Sequence, residues 1–295
     1  SWLWPSGLTL DGLVPAFLLA VFIYWGWDSA VATNEEADDP AKTPGRAAVL
    51  STVLLLLIYA VVSMATVAFA GVGSGGIGLA NQANADDVFR VMGPAVFGGS
   101  PIGKVFEALL VISILTSAAA STQTTILPTA RTSLSMGVFG ALPKRFAAIH
   151  PRYLTPSVST IWMGALSIVF YVGLTLISDN VLADSISAVG LMIAFYYGLT
   201  GFTCFWQFRK TLTSSPRNFV MRGVLPLLGG IILFAAFVEA CREYASPTAG
   251  KTTLFGIGGT FLLGIGTLLL GVVLMLIWRR LAPSFFRGET LPKTS

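Results

Sequence analysis

Apolar side chains along this chain fall into long unbroken blocks, and nearly all the Lys, Arg, Asp and Glu are confined to the stretches between them. The blocks show neither the alternation of a half-buried strand nor the single stripe of a surface helix. A helix that is apolar on every side for about 20 residues is long enough to cross a bilayer. Residues 47 to 72, 108 to 130, 153 to 178, 185 to 208 and 252 to 278 form such blocks without a charge. Residues 13 to 33 qualify apart from Asp28, and 219 to 241 has an uncharged centre bounded by Arg222 and Glu239. The pattern predicts seven helices, at about 13–33, 47–72, 105–131, 153–178, 185–208, 219–241 and 252–278.

Composition agrees with lipid as the solvent. Of the residues 54% are hydrophobic and 11% charged, with a mean hydropathy of +0.77, whereas soluble domains run near a quarter charged. Fourteen of the 18 basic residues fall in alternate connections on one side, and Arg90, Lys104, Arg242 and Lys251 on the other. Basic loops favour the cytoplasm, so residue 1 is expected outside and residue 295 inside a cell membrane. The net charge of +4 then reflects topology, and nucleic acid is not an expected partner. Cys204 and Cys241 make neither a disulfide framework nor a metal-ligand spacing, so no metal is expected. The single histidine, His150, reads as a solvated loop residue beside Pro151. No paired nucleophile and base lies within the apolar blocks, which argues against an enzyme. The opening SWLWPSGLTLDG, with Trp2 and Trp4 suited to an interface, reads as an outer loop entered midway, so the chain is expected to be part of a longer one.

Asp28 is the anomaly. An acid in a spanning segment costs roughly 2.5–3.5 kcal/mol on insertion scales and faces a cavity or a partner. Gly26, between Trp25 and Trp27, is a poor helix former, and a break there frees backbone that is tolerated only where it lines protein or water. A discontinuous helix with an acid at its break is the form of a transporter binding site. The plainer alternative is that Gly26 allows close packing and Asp28 snorkels to the inner face.

The stretch "GWDSAVATNEEADDPAKTPGRA" resembles the sixth helix and following loop of the amino acid, polyamine and organocation (APC) permeases: Gly-x-acid-Ser, a Glu pair, an acid-Pro step, a basic residue, then Pro before the next helix. Residues 130 to 156, "ARTSLSMGVFGALPKRFAAIHPRYLTP", are similar to that family's eighth helix end and cytoplasmic loop, with Leu-Pro-Lys and a Pro-Arg-Tyr-x-Thr-Pro run. Where the family carries Ala-Arg-Asp-Gly, this chain has "MGVFG". The resemblance covers nearly the whole chain, from the sixth helix to the twelfth. It implies an all-α, LeuT-like membrane fold, here the second of two inverted five-helix repeats plus two peripheral helices. It implies a small-molecule substrate, an amino acid or amine, with sodium or protons as the coupling ion and no other cofactor.

Other segments carry weaker signals. The "GVGSGGIG" and "ADDVFRVMG" segment is expected to start a short helix at Asp86 and Asp87 and end it at Gly93 and Pro94, and the resemblance implies an outer lid. Hydroxyls at Ser117, Ser121, Thr124 and Thr125 share one helix face. They either bond back to carbonyls one turn earlier around a bend at Pro128 or, as the resemblance implies for sodium-coupled members, supply a cation site at Ser121 and Thr122. Arg131 reads as an inner-face anchor. The acids of "NEEADDP" read as a solvated loop, and Tyr196 or Tyr197 could face the pathway or pack against neighbours. The glycines from Gly256 to Gly271 would let the last helix pack closely.

Seven spans with this orientation also fit a receptor, a retinal protein or a channel. Residues 252 to 278 hold no Schiff-base Lys, Arg131 is flanked by Ala130 and Thr132 rather than by an acid, and no filter-like repeat is present. The reading favoured is a secondary transporter of amino acids or related small organic cations by alternating access, coupled to protons or sodium or working as an exchanger. Phe22, Trp25, Gly26 and Asp28 are its candidate substrate residues, and Ser121 and Thr122 its candidate ion ligands.

Overall fold

The computed structural model describes residues 9–32, 34, 37–84, 87–178, 180–249 and 252–290. Trp2, Trp4, Glu35, Glu36, Asp86, Lys251 and Lys293 lie outside these. The described chain is almost wholly helical: α1 (Leu10–Ile23), α2 (Ser29–Ala32), α3 (Thr43–Ala70), α4 (Val88–Phe97), α5 (Pro101–Val138), α6 (Ser157–Thr175), α7 (Val181–Phe208), α8 (Pro216–Asn218), α9 (Leu225–Tyr244), α10 (Gly259–Leu281) and α11 (Pro283–Phe286). A π-helical turn, Phe219–Val224, joins α8 to α9, so the helix runs on from Pro216 to Tyr244.

Among the described residues, six helices are long and apolar enough to cross a membrane: Thr43–Ala70, Pro101–Val138, Ser157–Thr175, Leu182–Phe208, Pro216–Tyr244 and Gly259–Leu281. The expected helix over 13–33 is not one rod. It stops at Ile23, passes through a turn over residues 24 to 28, and restarts at Ser29, because Gly26 takes φ +120°, which a helix does not admit. The last span also starts later than 252. A two-strand hairpin, Thr253–Leu254 with Ile257–Gly258, precedes it, and its turn residues Phe255 and Gly256 both have positive φ. The third span extends beyond its apolar block in both directions, since charges at Glu107 and Arg131 end a hydropathy window without ending a helix.

The chain divides into two compact units. The first holds residues through Trp25, residues 135–148 and those from Gly164 on; the second holds residues 26–134 and 149–163. In the first, α7 is central, and α1, α9 and α10 pack around it. Val14, Leu18, Leu191, Ala194, Ala240 and Tyr244 form the buried cluster, with Phe237, Phe261 and Ile265 against it. Glycine sets the spacing. A Cβ on Gly201 would stand 2.5 Å from the Pro226 carbonyl oxygen, and one on Gly230 would stand 3.1 Å from that of Gly198. In lipid, where burial of apolar surface does not drive helices together, such close backbone approach does. Asp184, only 2% exposed, sits in the first turn of α7 and accepts a hydrogen bond from the Thr260 hydroxyl at 3.4 Å. Thr260 begins α10, so the positive end of that helix offsets a buried carboxylate. Trp278 of α10 donates its indole N–H to the Gly140 carbonyl at 3.2 Å, which ties residues 135–148 to this unit.

The second unit holds α2, α3, α4, most of α5 and the start of α6. On α3 only Pro44 and Ala48 are buried. Asp87 caps α4 by accepting from the Arg90 amide at 3.0 Å, and α4 continues through Gly93 and Pro94 to end at Gly98, where φ is +71°. The earlier stop expected at Gly93 fails because Gly93 is packed, 3.6 Å from Glu107 Cγ by its virtual Cβ, and the helix holds it there.

Candidate functional site

The four candidate substrate residues follow one another along the chain from the end of α1 to the start of α2, Phe22 and Trp25 in the first unit and Gly26 and Asp28 in the second. Two backbone bonds close the end of α1, from Tyr24 to Ala20 and from Trp25 to Phe22. The Asp28 carbonyl then accepts from Val31 and Ala32, which starts α2. Phe22 and Trp25 lie 6.4 Å apart by ring centroids, tilted at 37°. Asp28 is half-buried, while Gly26 and the two indoles flanking it are exposed.

Within the first unit, the Trp25 indole N–H donates to the Tyr196 hydroxyl at 2.8 Å. Tyr196 meets Tyr197 edge-on, with centroids 4.4 Å apart. A Trp donor facing a Tyr acceptor satisfies the polar edge of both amphipathic rings without a charge. The bond anchors Trp25, inside the turn, to α7, the best-buried of the six described spans.

Within the second unit, the first residue after the turn does comparable work. Pro128 lies inside α5 and has no N–H, so the Thr124 carbonyl one turn earlier loses its usual donor. The Ser29 hydroxyl lies 3.4 Å from that oxygen and donates to it. A recess of about 300 Å³, lined by Ser29, Ala30, Gln123, Thr124, Leu127 and Pro128, opens at this point. Neither Ser29 nor the Pro128–Thr124 pairing was among the sequence candidates. The four-residue offset from a proline to an orphaned carbonyl is the signal that could have pointed to them.

The hydroxyl face of α5 divides in its behaviour. Thr122 donates back to the Ala118 carbonyl at 2.9 Å, Thr124 to those of Ala120 and Ser121, and Thr125 to that of Ser121 at 2.8 Å. The Ser121 hydroxyl makes no hydrogen bond among the described residues. Thr122 lines a groove of about 360 Å³ with Gln123, Arg131, Thr155 and Thr160, and Ser121 does not. The two candidate ion ligands are therefore not brought to one opening. Among the described residues, no three His, Cys, Asp or Glu side chains come together as a metal site. His150 has a structural part: its Nδ1 accepts from the Arg152 and Tyr153 amides at 3.2 and 3.3 Å, holding the Pro-Arg-Tyr turn in which Leu154 takes φ +53°.

Residues 2–242 match the family described as amino acid permease. Uncharacterized transporters of Mycobacterium bovis and of Mycobacterium tuberculosis are each 27% identical over 248 residues, covering 84% of this chain and 50% of theirs. A branched-chain amino acid permease of Bacillus subtilis is 26% identical over 239 residues, 79% of this chain and 46% of its own. The chain thus spans about half the length of the curated relatives it matches. No solved structure gives a significant match.

Proposed function

The chain belongs to the amino acid permease family, and from that premise we propose that it forms part of a secondary transporter carrying an amino acid or related small organic cation by alternating access. It is a multi-pass membrane protein, and its relatives are named as transporters and permeases. The proposed fold is LeuT-like, with this chain supplying the second inverted repeat and two peripheral helices. A Bacillus subtilis relative named for branched-chain amino acids supports an amino acid as cargo.

The observation that carries the reading is the interruption of the first apolar segment at Gly26, with φ +120°, two residues before its only acid. An unwound step takes amides and carbonyls out of helical register, where they can meet the charged ends of an amino acid. Phe22 and Trp25 are the proposed apolar and aromatic wall for the side chain. Gly26 supplies backbone access, and Asp28 a countercharge for the ammonium group. Proton coupling would rest on Asp28, the only acid of that apolar segment. Sodium coupling, by contrast, would rest on Ser121 and Thr122, whose oxygens suit a hard cation.

The test uses the full-length protein at equal surface expression. Asp28→Asn is expected to impair uptake and flatten its pH dependence while membrane insertion stays normal. Uptake profiles indistinguishable from wild type would remove Asp28 from the mechanism. Loss of sodium dependence in Ser121→Ala with Thr122→Ala would favour the sodium alternative, and uptake that never needed sodium would exclude it.

A further inference from the structure

Beyond the transport reading, we propose that the turn joining α7 to α9 is a binding site for the phosphate headgroups of anionic phospholipid. Arg209, Lys210, Arg217 and Arg222 lie on it, and no acidic residue occurs anywhere between Asp184 and Glu239. Among the described residues, none of these four cations makes an ion pair. Two of them are held by aromatic rings instead. The Arg209 guanidinium carbon lies 4.0 Å from the Trp206 ring centroid, and its Nη1 donates to the Trp206 carbonyl at 2.7 Å. The Arg222 guanidinium lies 4.7 Å from the Phe208 ring centroid, so an arginine of the π-helical turn rests on the last residue of α7. A guanidinium with one face on a ring keeps its edge N–H groups available, and that fork suits two oxygens of one phosphate.

The turn is built rather than loose. Leu212 is buried, and a Cβ on Gly223 would stand 3.2 Å from its side chain. The Ser215 hydroxyl caps the Asn218 amide at 3.1 Å, and the Asn218 side-chain amide donates to Ser214 at 2.9 Å. The cations are thus presented on a fixed scaffold, which lowers the ordering cost of binding. Depth also fits. The 27 residues of Leu182–Phe208 rise about 40 Å, more than the ~30 Å hydrocarbon layer, which leaves the turn at headgroup level. Trp206 and Phe219, 65% and 52% exposed, are the amphipathic and apolar rings expected at that boundary. Headgroups of net negative charge, with a phosphate diester at the depth of the arginines, match this array better than zwitterionic ones.

The experiment reconstitutes the full-length protein in equimolar phosphatidylglycerol and phosphatidylcholine vesicles, extracts it in mild detergent, and quantifies retained lipid by mass spectrometry. Wild type is expected to retain phosphatidylglycerol several-fold over phosphatidylcholine. Replacing all four cations (Arg209→Gln, Lys210→Gln, Arg217→Gln, Arg222→Gln) should bring the ratio close to one, whereas Arg279→Gln with Arg280→Gln should leave it high. Should the fourfold variant fail to fold, as judged by its unfolding midpoint in neutral detergent, Arg209→Lys with Arg222→Lys retains charge and removes the stacked fork; it should lower the ratio to an intermediate value. An unchanged ratio in the folded fourfold or the Lys variant, or an equal fall in the Arg279 and Arg280 control, would overturn the site. Displacement of the lipid by inorganic phosphate, but not by chloride of equal ionic strength, would identify a soluble-phosphate site and overturn the lipid assignment.

Discussion

Leu191 on α7 and Leu57 on α3 are the same side chain on two long apolar helices, yet the first has no exposed surface and the second is 58% exposed. Hydropathy does not separate them: the α3 span is the more apolar of the two. What separates them is the distribution of small residues. The α7 helix offers Gly190 to the Leu18 carbonyl, and Gly198 and Gly201 to the backbone around Pro226 and Gly230. On α3 the sole glycine, Gly45, meets nothing within 4 Å. In a solvent as apolar as leucine, contact follows from how closely backbones approach rather than from hydrophobicity. The first unit therefore has an interior, while the α3 wall of the second is turned outward.

The strongest way to break this contrast is to cut matching side chains. Leu191→Ala should destabilise by about 2–5 kcal/mol through the cavity it leaves, and Leu57→Ala by under about 0.5 kcal/mol, read from thermal unfolding in detergent. Equal losses would mean that α3 is packed after all. A methyl group sharpens the same point. Gly201→Ala places a Cβ 2.5 Å from a carbonyl oxygen and should cost about 1–3 kcal/mol, while Gly45→Ala should leave the midpoint unchanged or raise it. A smaller effect is expected in the second unit, where Ser29→Ala removes the donor to the carbonyl that Pro128 orphans. A loss of about 1 kcal/mol, with faster amide exchange in α2, is the anticipated outcome. Wild-type exchange rates would show that the 3.4 Å contact contributes nothing.

The faintest effect lies beyond the last span. Arg287 donates to both Glu289 oxygens, at 2.6 and 3.2 Å, and holds that carboxyl below its ordinary value while its own is raised. A depressed carboxyl contributes above its unfolded value and loses that contribution as pH falls through the folded one. Because the pair is fully exposed, acidification should release it without moving the global unfolding midpoint. NMR of the Glu289 carboxyl would follow its titration, and a midpoint shift abolished by Glu289→Gln would contradict this.

Much of the architecture was legible because the bilayer constrains sequence so strongly. Five charge-free blocks and a sixth with a charge-free centre found six spans, and the combination of Gly26 with Asp28 marked the segment that is broken. Packing partners were not legible. The sequence marks Tyr196 as one of two tyrosines that face the pathway or pack against neighbours, yet nothing local pairs it with a tryptophan 171 residues earlier. Asp184 escaped because the charge itself ended the apolar block at residue 185, which left a buried acid of the helix just outside it. The glycines of α7 and α9 were visible one by one, but which glycine faces which depends on helix rotation. The hydroxyls of α5 looked like ligands by type, and most of them satisfy their own helix.

The π-helical turn at Phe219–Val224 has a consequence for comparing this chain with its relatives. A π turn accommodates one residue more than an α turn, so the positions before it and after it are out of phase by about 100°. A homologue lacking one residue in this hexapeptide would wind as plain α-helix and still present the face of α9 that carries Gly230, Phe234 and Ala240. Only the turn before it, with Arg217, would rotate. A single-residue gap here is therefore a change of headgroup geometry and not of helix packing, and an ungapped alignment would mismatch every position on one side of it.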